Sequence, residues 1–314
     1  MKLFVDSGAF SLYTKLFARA NTGSGRYSNA DYNFTRTKEF SEYLDSYIKF
    51  LCENKEYLEL YVGLDIIGDP QRSWDIQKYM ESFGLSPLPV YHVGEDIKWL
   101  KRYVDNYDYI GCGGFAKDIS KKAWINSMGN PAFSIICDTP DRLPRVKVHG
   151  FAMTSPELMA AFPWFSVDST SWVMFGKYGA VLVPKSIHGK FIYSLPPWVV
   201  FTSNRSPKKK LDNFSHLENL PNIHQRKVLQ YFADKKVVLG ESKFKTVELG
   251  YKPSKEENWS DRKKGIIEIK IEKGISNDHS LRDDLNLQFF LDLEKSLPEW
   301  PWPWEPKNRT RRFF

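Results

Sequence analysis

The strongest constraint on this chain is the alternation of short apolar runs with helical stretches through its first 185 residues. The runs Lys2–Val5, Leu60–Leu64, Leu88–Tyr91, Tyr109–Cys112, Lys147–Phe151, Trp164–Val167 and Ala180–Val183 mostly lack polar alternation. That texture predicts strands buried on both faces of a parallel sheet. Thr37–Asn54, Gln71–Phe83, Ile97–Asn106 and Pro156–Phe162 read as the intervening helices. The last opens on Thr154-Ser155-Pro156-Glu157, which supplies an N-cap hydroxyl, a first-turn proline and an early carboxylate. Asp69, before Pro70, reads as the cap of the helix at Gln71. Strand–helix units of this kind predict a parallel α/β fold, either a closed barrel or an open doubly wound sheet. Seven strands by Val183 is one short of a standard barrel.

Beyond Pro184 the texture changes. Ser203–Asn213 is polar and basic, His216–Lys235 reads as helix, and Lys236–Tyr251 is mixed. Gly265–Glu272 alternates and reads as an exposed strand, and Ser280–Ser296 as an amphipathic helix. The run Pro298-Glu299-Trp300-Pro301-Trp302-Pro303-Trp304 fits neither helix nor central strand. It is expected to staple onto the domain surface through its tryptophans. These observations divide the chain into a core over residues 1–190 and a C-terminal basic α+β extension over 191–314.

The formal net charge of +7 favours an anionic partner. Charge nearly balances through Asp168, whereas later segments carry Lys208, Lys209, Lys210, Arg262-Lys263-Lys264 and the tail Arg309, Arg311, Arg312. Lys208–Lys210 and Arg309–Arg312 are candidate phosphate contacts, the alternative being a solvated charged surface. Cys52, Cys112 and Cys137 form no CxxC pair, which argues against a disulfide framework and a structural zinc site. No metal or cofactor is expected. The N-terminus reaches Asp6 too early for a signal peptide, and no run has the length of a membrane helix. A soluble protein of a reducing, cytoplasmic compartment is expected, the host cytoplasm if the chain is phage-encoded.

Polar and small residues follow successive strand candidates, and in a parallel barrel those positions share the C-terminal rim where active sites assemble. They are Asp6-Ser7-Gly8-Ala9-Phe10-Ser11, Asp65, His92, Gly113-Gly114, His149-Gly150 and Asp168-Ser169-Thr170-Ser171-Trp172. Taken singly, each has a plainer reading. Asp6 and Asp168 could be caps, His92 a packing residue, Gly113-Gly114 a turn, and His149 the holder of a neighbouring loop. The coincidence along one rim is the signal.

DSGAFS at 6–11, GLD at 63–65, VYHVGED at 90–96, YIGCGGFAK at 109–117, HGFAMTSPEL at 149–158 and SVDSTSW at 166–172 resemble, in order, the tRNA-guanine transglycosylase superfamily. His92, HGF at 149–151 and SVDSTSW are most similar to its phage DpdA-like branch, which inserts 7-deazaguanines into DNA. The resemblance covers roughly residues 1–190. It implies a TIM-like (β/α) barrel, complete or modified. It also implies that Asp168 is the nucleophile at the anomeric carbon and Asp6 the general acid/base. Asp65 would accept hydrogen bonds from the guanine-type edge, and backbone N–H groups around Gly113 and Gly114 would meet the base carbonyl. Ser7, His92 and His149 join them as substrate-binding candidates.

The chemistry is consistent with that assignment. Base exchange with retention needs one carboxylate to form a sugar ester and a second carboxyl to move protons on the bases. The target base must leave its stack, and Phe10, Phe115 and Trp172 are candidates to sandwich it. Two departures stand out. The family's CxCxxC…H zinc site has no counterpart, since no cysteine follows Cys137, and the strand that precedes the DSG strand in the tRNA enzymes is missing here or supplied from elsewhere. The expected function is therefore exchange of guanine in DNA for a 7-deazaguanine such as preQ0. An RNA-directed transglycosylase and a silent 7-deazaguanine or nucleic-acid binding module are the alternatives.

Overall fold

The computed structural model describes residues 3–20, 35–113, 121–153, 155–206, 214–248 and 250–306. The chain divides into two compact units. The first comprises the described residues of Met1–Met153, Ala161–Asp168 and Trp300–Phe314; the second, those of Thr154–Ala160 and Ser169–Glu299. Sequence texture places a boundary at 190, whereas the chain changes unit at Asp168 and the Trp/Pro segment returns to the first. No described helix is long and apolar enough to cross a membrane.

The first unit contains β1 (Leu3–Val5), α1 (Ala9–Ala20), α2 (Lys38–Asn54), β2 (Leu58–Tyr61), α3 (Pro70–Glu81), β3 (Val90–His92), α4 (Ile97–Asn106) and β4 (Tyr109–Gly113). There follow α5 (Lys121–Trp124) and α6 (Asn130–Ile136), joined by a π turn, then β5 (Lys147–Gly150), α7 (Pro156–Ala161) and β6 (Ser166–Val167). Of α7, the residues through Ala160 group with the second unit.

All these strands pair in parallel and in chain order. β1 pairs with β2, a bridge from Val62 to Leu88 carries the pattern towards β3, and β3, β4, β5 and β6 follow. Capping sets the helix starts. Thr37 Oγ1 accepts from the N–H of Phe40, and Asp69 Oδ1 from that of Arg72, so Asp69 is a cap as its place before Pro70 predicts. α2 buries Phe40, Leu44, Tyr47, Ile48 and Leu51 at helical spacing, in a core with Leu58, Tyr61, Leu64 and Met80.

The sheet curls. Phe4 of β1 meets His149 of β5 edge-on with ring centroids 4.9 Å apart. Four strand spacings in a flat sheet would separate those strands by about 19 Å. Small residues make the inner face passable: a Cβ on Gly111 would lie 2.5 Å from the Phe151 ring. Among the described residues no pairing joins β6 to β1.

In the second unit are α8 (Ser171–Lys177), β7 (Ala180–Val183), β8 (Lys185–Ile187), β9 (Lys190–Ile192), β10 (Trp198–Phe201), β11 (Phe214–His216) and α9 (Asn222–Asp234). β12 (Glu241–Thr246), β13 (Glu257–Asp261), β14 (Ile266–Glu272) and α10 (His279–Ser296) complete it. Two expectations are corrected here. Ala180–Val183 is a buried strand, but it runs antiparallel to β10 instead of extending the parallel series. An apolar run reports burial on both faces and not strand direction. The other edge of β7 is satisfied by a side chain: Asn286 accepts from the Leu182 N–H and donates to the carbonyl of Ala180. Gly265–Glu272, read as exposed, yields the central strand of an antiparallel trio, with Ile267 and Glu268 fully buried. Glu268 tolerates that position because Asn204 donates to its Oε1 and Arg205 faces its Oε2.

The Trp/Pro segment staples onto the first unit. Trp300 Nε1 donates to the Pro163 carbonyl and its ring meets Phe165 edge-on, while buried Trp304 stacks on Phe162. Trp304→Ala is expected to destabilise the protein by about 3–5 kcal/mol, read by denaturant unfolding. A loss below about 1 kcal/mol would show that the staple is decorative.

Candidate active site

Asp6 and Ser7 leave β1 at its C-terminal end, and a network fixed by a helix holds the turn. Tyr43 on α2 donates to the Ser7 carbonyl at 2.8 Å, and the buried Ser7 Oγ accepts from the Ala9 N–H. Gly8 has φ +69°, and a Cβ there would come within 2.7 Å of the Tyr43 hydroxyl. Both the backbone and the space require glycine. Tyr47, one helical turn on, donates to the Val62 carbonyl and ties α2 to the chain just past β2.

Asp65 and His92 form one buried pair through Oδ2 and Nε2. Burial opposes a charge on His92, but the Asp65 carboxylate outweighs it and raises the imidazole's proton affinity. Glu95 adds to that field and accepts from the His92 N–H. Its own carboxyl is raised, chiefly by burial. Gly113 is buried against this pair; a Cβ there would lie 3.2 Å from the His92 ring.

Asp168 follows β6. Its Oδ1 accepts from the Ala152 N–H at 2.7 Å and lies 3.6 Å from Nε2 of the buried His149. Ala152 has φ +52°, a left-handed conformation uncommon for a residue with a Cβ, which aims its N–H at the carboxylate. Burial pushes the Asp168 carboxyl up, yet His149 and the Ala152 N–H more than offset it and hold the group below the usual aspartate range.

Asp6 goes the other way. Desolvation raises its carboxyl, and the negative charges of Asp65 and Asp168 raise it further against the opposing N–H groups of Ser7 and Gly8. One unit thus carries two carboxyls whose proton affinities are pushed apart, the condition for assigning one as a proton carrier and the other as an ionised base or nucleophile.

Asp6, Ser7, Asp65, His92, Gly113, His149 and Asp168, expected to share one strand-end rim, all belong to the first unit. His149 and His92 are buried behind aspartates, so each meets a carboxylate first. Trp172 belongs to the second unit, and Phe10 is 65% exposed. Gly114, Phe115, Lys208, Lys209, Lys210, Arg309, Arg311 and Arg312 lie outside the described residues. Sequence reasoning missed Tyr43, Glu95 and Ala152. The first acts across 36 positions, beyond any local motif, and Ala152 acts through its backbone. Glu95 stood within a motif noticed for its histidine.

No protein-family model, curated protein or solved structure matches the chain.

The opposite shifts are measurable. In carboxyl NMR titrations Asp6 is expected to titrate above the ordinary aspartate range and Asp168 below it. Asp168→Asn should lower the Asp6 value by removing a like charge. Because the folded-state affinity of Asp6 for its proton is raised, the stability it contributes is present at acidic pH and lost as pH rises through its folded value. Asp6→Asn should therefore raise Tm at neutral pH and leave it unchanged in acid. A lower Tm at neutral pH would refute the electrostatic account.

Proposed function

We propose that this chain is a base-exchange transglycosylase that replaces guanine in DNA with a 7-deazaguanine of the preQ0 type. The supporting observation is the opposed pair within one unit, an Asp168 carboxyl held below the ordinary aspartate range and an Asp6 carboxyl raised above it. The sequential parallel strands and their curl favour a (β/α) barrel, complete or modified, as the scaffold.

In this reading an Asp168 oxygen attacks C1′ of the target nucleotide and the C1′–N9 bond breaks. The base nitrogen keeps the electron pair and takes the proton from Asp6. A sugar–aspartyl ester remains. The incoming 7-deazaguanine gives its ring N–H proton to the Asp6 carboxylate and attacks C1′. The ester bond then breaks and Asp168 is restored, so the proton balance closes. Asp65, steadied by His92, accepts from the guanine-type N1–H and exocyclic amine, and exposed Phe10 offers a face to the extruded base. The basic segments Lys208–Lys210 and Arg309–Arg312 supply phosphate contacts.

Incubating the protein with preQ0 and duplex DNA, single-stranded DNA or tRNA, followed by nucleoside mass spectrometry, tests this. Modified nucleoside is expected in DNA and absent with Asp168→Ala. Incorporation only into tRNA would transfer the reading to RNA, and binding of preQ0 without exchange would leave a binding module. Replacing Lys208–Lys210 by alanine should make the salt dependence of DNA binding shallower, by ~0.9 in log–log slope for each phosphate no longer neutralised. An unchanged slope would remove these lysines from the interface.

A further inference from the structure

We propose that His149, Ser166 and Tyr109 form a positioning relay that commits Oδ1 of Asp168 and leaves Oδ2 as the attacking oxygen. The proposal rests on Asp168 being the nucleophile.

A chain of polar groups runs across the inner face of the sheet. The Tyr109 hydroxyl lies 2.6 Å from Ser166 Oγ, and Ser166 Oγ lies 2.6 Å from His149 Nδ1. Nε2 of the same ring, 3.6 Å from Asp168 Oδ1, has no hydrogen-bond partner among the described residues. A buried ring nitrogen beside a carboxylate is an unfinished contact, of the kind that shortens when a ligand closes the site. The ring is held for that purpose. It is 2% exposed and gripped edge-on by Phe4 and by Phe151, at 4.9 and 4.4 Å between centroids.

Donor bookkeeping selects one tautomer. If Tyr109 donates to Ser166 and Ser166 to Nδ1, the proton of a neutral His149 sits on Nε2 and faces Asp168. Reversing the chain would put the Nε2 lone pair against the carboxylate, a repulsive arrangement. The Tyr109 hydroxyl carries its proton at neutral pH and can donate it to Ser166 Oγ.

With Nε2–H and the Ala152 N–H both directed at Oδ1, that oxygen is committed. The Asp168 side chain is 57% exposed, and Oδ2 is the oxygen left to meet C1′. His149 is thus a positioning residue. It touches the nucleophile and not the substrate, which differs from the substrate-binding role expected of it from the sequence.

The test uses the full-length protein labelled with 15N-histidine, without ligand, at neutral pH. Long-range 15N–1H spectra distinguish the three ring states, with His149 assigned by signal loss in His149→Gln. A protonated Nε2 and bare Nδ1 are expected, and Ser166→Ala and Tyr109→Phe should move population towards the Nδ1–H form. A wild-type ring protonated at Nδ1, alone or as imidazolium, would overturn the relay. In base exchange, both variants should lower kcat by ~10- to 100-fold with KM unchanged, and Ser166→Thr, which keeps the hydroxyl, should recover most of it. Unchanged kcat would overturn the positioning role. The spectroscopic arm needs no substrate. A chain that exchanges no base yet shows the Nε2–H tautomer would sink the transglycosylase reading while preserving the hold on Asp168.

Discussion

Phe4 and His149 lie 145 positions apart in sequence, on strands with three others between them, yet their rings are in van der Waals contact. That contact is the geometric condition for the site. A strand carries side chains to alternate faces, so a sheet that stayed flat would present Asp6 and Asp168 at opposite ends of one long edge. Curling converts a row of strand ends into a cluster. The mutual influence of the Asp6, Asp65 and Asp168 charges is a consequence of that curvature, as is the clamp on the His149 ring.

Gathering carboxylates is unfavourable in itself, and each has a different remedy. Asp168 is met by an N–H from a left-handed residue and by a buried imidazole. Asp65 shares a buried pair with His92. Asp6 has weaker help, from N–H groups of its own turn, so burial and the charges of Asp65 and Asp168 raise its proton affinity. An uneven distribution of partners among similar groups is how a site differentiates a proton carrier from an anion without changing residue type. Strain at Ala152 is consistent with this, because a relaxed turn would aim its N–H elsewhere.

The strands, the capped helices and the aspartates that follow strands were legible because each leaves a local mark: an apolar run, a side chain before a helix, a polar residue after a strand. What was illegible is long-range or backbone-borne. Ala180–Val183 carries the same signature whether its neighbour is parallel or antiparallel, and Asn286, which closes its free edge, lies more than 100 positions away. Glu268 looked like the solvent face of an alternating strand because nothing nearby announces Asn204 and Arg205. Ser166 and Tyr109 read as ordinary strand residues. Their role emerges only when adjacent strands place them in register with His149.

The same register explains why the relay and the site cannot be separated. His149 pairs across to Ser166, and Gly150 to Val167, so the carbonyl of Gly150 receives the Asp168 N–H where β6 ends. A one-residue slip between β5 and β6 would turn Ser166 away from the imidazole and Asp168 away from Nε2 in the same step. The aspartate, its histidine and the hydroxyls behind it are therefore set by one strand pairing. That pairing is pinned from outside by Trp300 against Phe165 and the Pro163 carbonyl. A distant aromatic segment in this way bears on the orientation of a single carboxylate oxygen.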